Sequence, residues 1–235
     1  MLVWVASFPR SGNTFLRIIL HRLYGVRAST VYDVDGVAER LGGELIGYTG
    51  RPGSLADMRA SDQPHFIKTH RQRDADVEEN DPAICLVRDG RDALVSWARQ
   101  SSEKDPNSYE AELQAKILRV GTTGTGSWGS NVLSWLRPPA PHRVVLRYED
   151  LIRDPRGSVT PIVAAVAPAL AQRPDAVIPS LDELQRHDDR FFRRGRVGSH
   201  HDELSAGAHQ LFWSRPDNQA AMTLLGYIQP ANHEA

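Results

Sequence analysis

The sequence predicts an α/β fold: a single domain, residues 1–235, with a central parallel sheet flanked by helices. Three observations lead there. Short runs of β-forming apolar residues alternate with helical stripes along the chain. The first run is apolar almost throughout, as in strands covered on both faces. The 235 residues, 40% hydrophobic and 24% charged, suffice for a buried core and show no internal repeat, low-complexity tail or domain boundary.

The elements follow in order. Leu2 to Ser7 is the first strand, stopped by Phe8-Pro9. Arg10-Ser11-Gly12-Asn13 is a turn. A helix follows over 14–24, because Phe15, Ile18, Ile19 and Leu23 form one stripe and Gly25 is placed to end it. Residues 28–64 read as loop-rich, broken by Gly42-Gly43, Arg51-Pro52-Gly53 and Asp62 to Pro64. Strands are expected at 65–69 and 83–87, then a turn at Asp89 to Asp92 and a helix over 93–99. Helices over 109–120 and 128–136 precede a fourth strand at 143–148. Helices around 157–167, 182–187, 202–213 and 217–225 complete the chain. Right-handed crossovers put every strand's C-terminal end on one edge. Arg10, His70, Arg88 and Glu149 each sit just beyond a strand end, so they are expected on one rim, where open α/β sheets bind ligands.

Composition removes several function classes. The formal net charge is −1, which argues against a nucleic-acid partner. One cysteine, Cys85, rules out an internal disulfide and any paired-cysteine metal or redox motif. No apolar run approaches the ~20 residues of a membrane span. The first residues lack the basic leader of a signal peptide. These features lead to the expectation of a cytoplasmic protein with no membrane partner.

Four segments carry candidate chemistry. Phe8 to Phe15 is a strand-to-helix loop whose backbone N–H groups, beside Arg10, Ser11 and Thr14, suit an anion; an ordinary capped turn reads the same way. The nucleotide-hydrolase loop GxxxxGK followed by Ser or Thr is absent, since the chain contains no Gly-Lys pair. Arg88 to Ser96 brings a guanidinium and a hydroxyl to a helix start, where a phosphate would sit; Arg88 and Asp92 could equally be a surface ion pair. Arg190 to Ser199 holds four arginines and two glycines: a lid, a ligand-approaching loop or simply a solvated basic loop. Lys68-Thr69-His70 follows a strand, and Lys68 is one of only three lysines. Gly124 to Gly129 matches the dinucleotide pattern GxGxxG but follows a helix, so it reads as a flexible linker. His200-His201-Asp202 lacks a third ligand at metal spacing, and no metal is expected.

In order, these segments resemble the sulfotransferases that use 3′-phosphoadenosine-5′-phosphosulfate (PAPS), and the resemblance is to small bacterial members. Phe8 to Phe15 is similar to their 5′-phosphosulfate loop, with Arg10 for Lys, Asn13 for Thr and Phe15 for Trp. Lys68-Thr69-His70 resembles the strand end carrying the family's catalytic Lys and His. Arg88 to Ser96 resembles the 3′-phosphate motif. Trp128 to Leu136 and Tyr148-Glu149-Asp150-Leu151 resemble the region that places a Tyr near the adenine. Arg193-Arg194-Gly195 resembles the late nucleotide motif. The resemblance implies the P-loop-like sulfotransferase fold and transfer of a sulfuryl group from PAPS to a hydroxyl of a small-molecule acceptor, with PAP (3′-phosphoadenosine-5′-phosphate) as product. His70 is then the general base, with Lys68 and Arg10 stabilising the departing phosphate oxygen. Arg10, Ser11, Gly12, Asn13, Thr14, Phe15, Arg88, Ser96, Tyr148, Arg193, Arg194 and Gly195 bind the cofactor. Residues 188–204 are expected to form a lid, and the loops 28–64 and 121–130 to shape the acceptor pocket. The alternatives are a small-molecule kinase with a degenerate phosphate loop and a non-catalytic nucleotide-binding protein.

Overall fold

The computed structural model describes residues 1–193 and 195–227. The chain begins β1 (Leu2–Ser7), α1 (Asn13–Tyr24), β2 (Ala28–Thr30), α2 (Gly36–Leu41), α3 (Gly43–Ile46) and α4 (Leu55–Ala60). It continues with β3 (His65–Thr69), β4 (Ala83–Val87), α5 (Gly90–Ser101), a 3₁₀ turn at Pro106–Ser108, α6 (Tyr109–Ile117) and α7 (Trp128–Leu136). The last part holds β5 (Arg143–Arg147), α8 (Tyr148–Arg153), α9 (Pro155–Val166), α10 (Leu181–His187), α11 (His200–Glu203), α12 (Ala206–Trp213) and α13 (Pro216–Leu224).

The five strands form one parallel sheet in the order β2-β3-β1-β4-β5. Successive residues of β1 serve opposite faces, as strand geometry demands. Val3 and Val5 join the cluster built with Leu16, Ile19 and Leu20 of α1 and Val159 and Val163 of α9. Leu2, Trp4 and Ala6 pack with Met58 of α4 and Trp135 of α7 on the other side. With both faces covered, β1 is buried along its whole length.

The register places the site. Ala6 pairs with Thr69, Ser7 with Leu86, and Val87 with Arg147. The residues that follow these strands therefore emerge on one edge, as the alternating pattern requires.

Three expectations change. The sheet has a fifth strand, β2, inside the segment read as loop, which also holds α2, α3 and α4. β2 is three residues long, Ala-Ser-Thr, too short to show an apolar run. The helix expected over 202–213 is two helices, because Ser205 caps α12 by accepting from the Ala208 N–H. The helix begun at Tyr109 ends at Ile117 instead of 120.

Candidate active site

The loop after β1 is shaped by two left-handed residues. Gly12 caps α1 at φ 99°, and a Cβ there would lie 2.7 Å from Cδ2 of Tyr148. Only glycine meets both demands. No side chain caps α1, and Leu16 is the first residue whose N–H is taken up, by the Gly12 carbonyl. The N–H groups of residues 12–15 are left without partners inside the helix, at its electropositive end. Arg10 takes φ 64°, a conformation costing a non-glycine residue roughly 1–3 kcal/mol. Its surroundings hold it there. Arg88 Nη1 donates to the Arg10 carbonyl (3.0 Å), while Arg10 donates through Nε to Ser96 Oγ (3.2 Å) and through Nη2 to the Phe191 carbonyl (2.9 Å). Burial and the neighbouring Arg88 push the Arg10 guanidinium down to about 10.

His70 follows β3. Its Nδ1 lies 2.9 Å from the Ser7 carbonyl, which can only accept, so Nδ1 carries the proton and Nε2 is left as the basic nitrogen. Burial and the nearby Lys68 lower its pKa to about 3, so the ring is neutral at physiological pH. Its backbone is braced from two sides. The N–H donates to the Tyr32 hydroxyl (2.8 Å), and the carbonyl accepts from Asn131 Nδ2 (3.0 Å). Lys68 is buried beside it, 3.8 Å from Asp35.

Arg88 ends β4. Besides the Arg10 carbonyl it donates to the Arg196 carbonyl (3.2 Å), and it lies over the Tyr148 ring at 4.2 Å. Its pairing with Asp92, at 3.7 Å, is buried rather than superficial. Asp92 also accepts from the N–H groups of Gly198 (2.8 Å) and His200 (2.9 Å) and from His200 Nδ1 (2.7 Å). Burial alone would raise this carboxyl; His200 and Arg88 outweigh it and hold the pKa at about 2. The C-terminal segment is thereby fastened beside the phosphate-type loop.

These elements enclose one cavity of about 650 Å³. Arg10, Gly12, Asn13, Thr14, Phe15 and Lys68 line it, as do His70, Arg88, Ser96, Tyr148, Arg193 and Gly195. Two expected site residues are not among them. Ser11 is fully buried, its hydroxyl has no partner and it does not line the cavity. Arg194 lies outside the described residues. Asn13 lines the cavity, but its amide points inward, donating to the Val5 carbonyl (3.2 Å) and Ser7 Oγ (3.1 Å). Of the two loops expected to shape the pocket, only the first contributes, through Gly36, Val37 and Arg40. The 121–130 segment lies behind His70 instead, where the Gly124 carbonyl accepts from Gln72 N–H and the Thr125 carbonyl from Asn131. Glu149 is a brace, accepting from the Asp89 N–H (3.1 Å) and the Tyr227 hydroxyl (2.8 Å). Sequence reasoning missed Arg17, Asp35, Arg40 and the tethering role of Asp92. Only Asp35 left a trace, as an N-cap residue before a short helix.

The lining contains several cations and, among the described residues, no carboxylate. With the free N–H groups of α1 and the room kept by Gly12, the cavity fits an anionic nucleotide. No group of three or more metal-ligating side chains exists among the described residues.

Comparison with known proteins agrees with this geometry. The sulfotransferase domain family matches residues 2–164. Cytosolic sulfotransferase 8 of Arabidopsis thaliana is 30% identical over 166 residues, 65% of this chain and 50% of that protein. The WSCD family member GA21586 of Drosophila pseudoobscura pseudoobscura is 28% identical over 157 residues, 65% of this chain and 46% of that one. The chain spans about half the length of these curated relatives. Among solved structures, mouse sulfotransferase SULT7A1 complexed with PAP has a TM-score of 0.64 at 18% identity, covering 94% of this chain and 88% of that one. Retinol dehydratase in complex with androsterone and PAP has a TM-score of 0.58 at 18% identity, covering 94% of this chain and 80% of that one. Those two likenesses concern the fold; by the match that runs from β1 into α9, this chain belongs to the sulfotransferase family.

Proposed function

We propose that the protein transfers a sulfuryl group from PAPS to a hydroxyl of a small-molecule acceptor. The observation that carries this reading is the fixed tautomer of His70: its basic Nε2 belongs to a ring lining the same cavity as Lys68, Arg10 and the open end of α1. PAPS supplies the sulfuryl group and leaves as PAP. His70 accepts the proton of the attacking hydroxyl. Lys68, Arg10 and the N–H groups of residues 12–15 stabilise negative charge on the departing phosphate oxygen. Thr14 and the backbone of the same loop hold the 5′-phosphate; Arg88, Ser96, Arg193, Arg194 and Gly195 hold the 3′-phosphate, and Tyr148 and Phe15 border the adenine. Residues 188–204 act as a lid over the cofactor, with Gly195 (φ 55°) and Gly198 (φ 82°) supplying left-handed turns. The reading extends to a small bacterial enzyme of the cytoplasm, on the family resemblance and the single buried cysteine, Cys85. No helix among the described residues is long and apolar enough to cross a membrane.

The test is a screen of phenols and alcohols with sulfur-labelled PAPS, with and without a magnesium chelator. Chelator-insensitive labelling of an acceptor supports the reading. Transfer that instead requires ATP and magnesium would make the protein a kinase.

A further inference from the structure

One cluster of buried charge stands behind Lys68 and is not used by the chemistry above. Asp35 lies between β2 and α2 with its side chain fully buried. Its Oδ2 accepts from Nη1 of Arg17, on α1, at 2.6 Å. Its Oδ1 accepts from the N–H groups of Val37 (3.1 Å) and Ala38 (3.2 Å), capping α2, and lies 3.8 Å from Lys68 Nζ. Arg17 is equally buried, and its Nε and Nη2 have no hydrogen-bond partner. The residues that Asp35 caps matter, because Gly36 and Val37 line the cavity together with Lys68.

Four groups face Lys68: Arg17 from α1, Asp35 ahead of α2, Tyr32 after β2 with its ring 5.5 Å from Nζ, and His70 after β3. Burial lowers the pKa of Lys68, Asp35 opposes that, and Arg17 adds to it. Stripped of the carboxylate, the ammonium would share a dry site with a guanidinium, and it would shed its proton at lower pH.

We propose that Asp35 is a positioning residue: its carboxylate, shared between Arg17 and Lys68, holds the ammonium in place and charged while anchoring the cavity wall formed by the start of α2. The kinetic half of this statement rests on the sulfuryl-transfer reading; the electrostatic half does not.

Lysine counting makes the test direct. The chain has three lysines, Lys68, Lys104 and Lys116, so ¹³Cε-lysine NMR of the full chain gives three titrations, and Lys68→Arg assigns one. Asp35→Asn keeps a capping oxygen and removes the charge; the Lys68 midpoint should fall by about 1 pH unit or more. Arg17→Gln should raise it. A loosened structure does not produce opposite signs. In PAPS-dependent turnover, the alkaline limb of kcat should move with each midpoint, and for Asp35→Asn kcat at pH 8 should fall more than KM for PAPS rises. If Asp35→Asn does not fold, Arg17→Gln and the double variant carry the test, the double variant titrating above the midpoint expected for Asp35→Asn and below that of Arg17→Gln. Unmoved midpoints, or shifts of the same sign, overturn the proposal. Shifted midpoints with an unchanged rate profile overturn its kinetic half. An absence of PAPS-dependent transfer by the unmodified protein counts against the proposed function, and the NMR signs still judge Asp35.

Discussion

Two regions meet at the cavity, and they are built on different principles. The sheet rim presents Arg10, Lys68, His70 and Arg88 because parallel strands in fixed register end together. Each of these residues inherits its position from a buried strand. The returning segment, residues 188–204, has no strand to inherit from. It is held by individual contacts: Arg40 to Asp188 (2.5 Å), Arg10 to the Phe191 carbonyl, Arg99 to Glu203 (2.7 Å) and Gly198 and His200 to Asp92. The rim's geometry is backed by the sheet, whereas the segment's depends on a few polar groups and on Phe191 and Phe192, which pack with Ile18, Ile46 and Leu184 in a small cluster of their own. Single substitutions should therefore change chemistry at the rim and attachment in the segment.

The largest effect expected is at the rim. His70→Ala should lower turnover by roughly 10²–10⁴, the range for a lost general base, with PAP binding nearly intact. Rapid-quench assays with labelled PAPS measure it, and an active variant would remove His70 as the base. The pH dependence has a defined sign. The folded pKa near 3 lies below the ordinary value of 6.5, so the folded protein binds fewer protons between the two. Stability from the neutral ring is complete above pH 6.5 and lost as pH falls toward 3. Acid unfolding of His70→Ala should accordingly be shallower across that window.

Next comes the tether. Asp92→Ala removes one carboxylate that serves Gly198, His200 and Arg88, and should cost about 3–5 kcal/mol, the scale for breaking a buried ion pair. Thermal unfolding and hydrogen exchange across 188–204 measure it. Exchange that rises in this segment while β1 and β4 stay protected is the expected pattern, and uniform loss of protection would mean that the two regions are not separable. The smallest effect expected is Ser96→Ala, which should weaken PAP roughly 10- to 100-fold, the worth of one hydrogen bond to a charged group. AMP, lacking the 3′-phosphate, should lose much less; equal losses in calorimetry would exclude a 3′-phosphate contact.

The same contrast explains what could be read from the sequence. Leu2 to Ser7 and the strand at 83–87 declared themselves through apolar runs, the strand at 65–69 was legible without one, and the rim followed from topology. β2 did not, because three small residues at a sheet edge carry no periodic signal. The inward turn of Ser11 was hidden, since a loop motif gives spacing but not side-chain direction. Asp35 and Arg17 are 18 positions apart, and no local pattern announces that they share a buried site with Lys68. Asp92 was legible as a partner of Arg88 four residues away, but its grip on residues 198–200 spans more than 100 positions. Short-range order was readable; contacts that close the chain over the cavity were not.

Arg88 shows what this closure means for an arriving anion. Its two terminal nitrogens are already engaged by the carbonyl oxygens of Arg10 and Arg196, one from each region, with the Tyr148 ring beneath. Those peptide oxygens are place-holders. Under the proposed role, phosphate binding at Arg88 is a substitution, in which a charged oxygen displaces a neutral one, and only the difference between the two bonds appears as affinity. The guanidinium is thus prepaid in orientation but discounted in strength. Displacement of the Arg196 carbonyl would also free the returning segment from the rim at one point as the nucleotide ties it down at another, so capture of the ligand and rearrangement of the cover would be one exchange of partners.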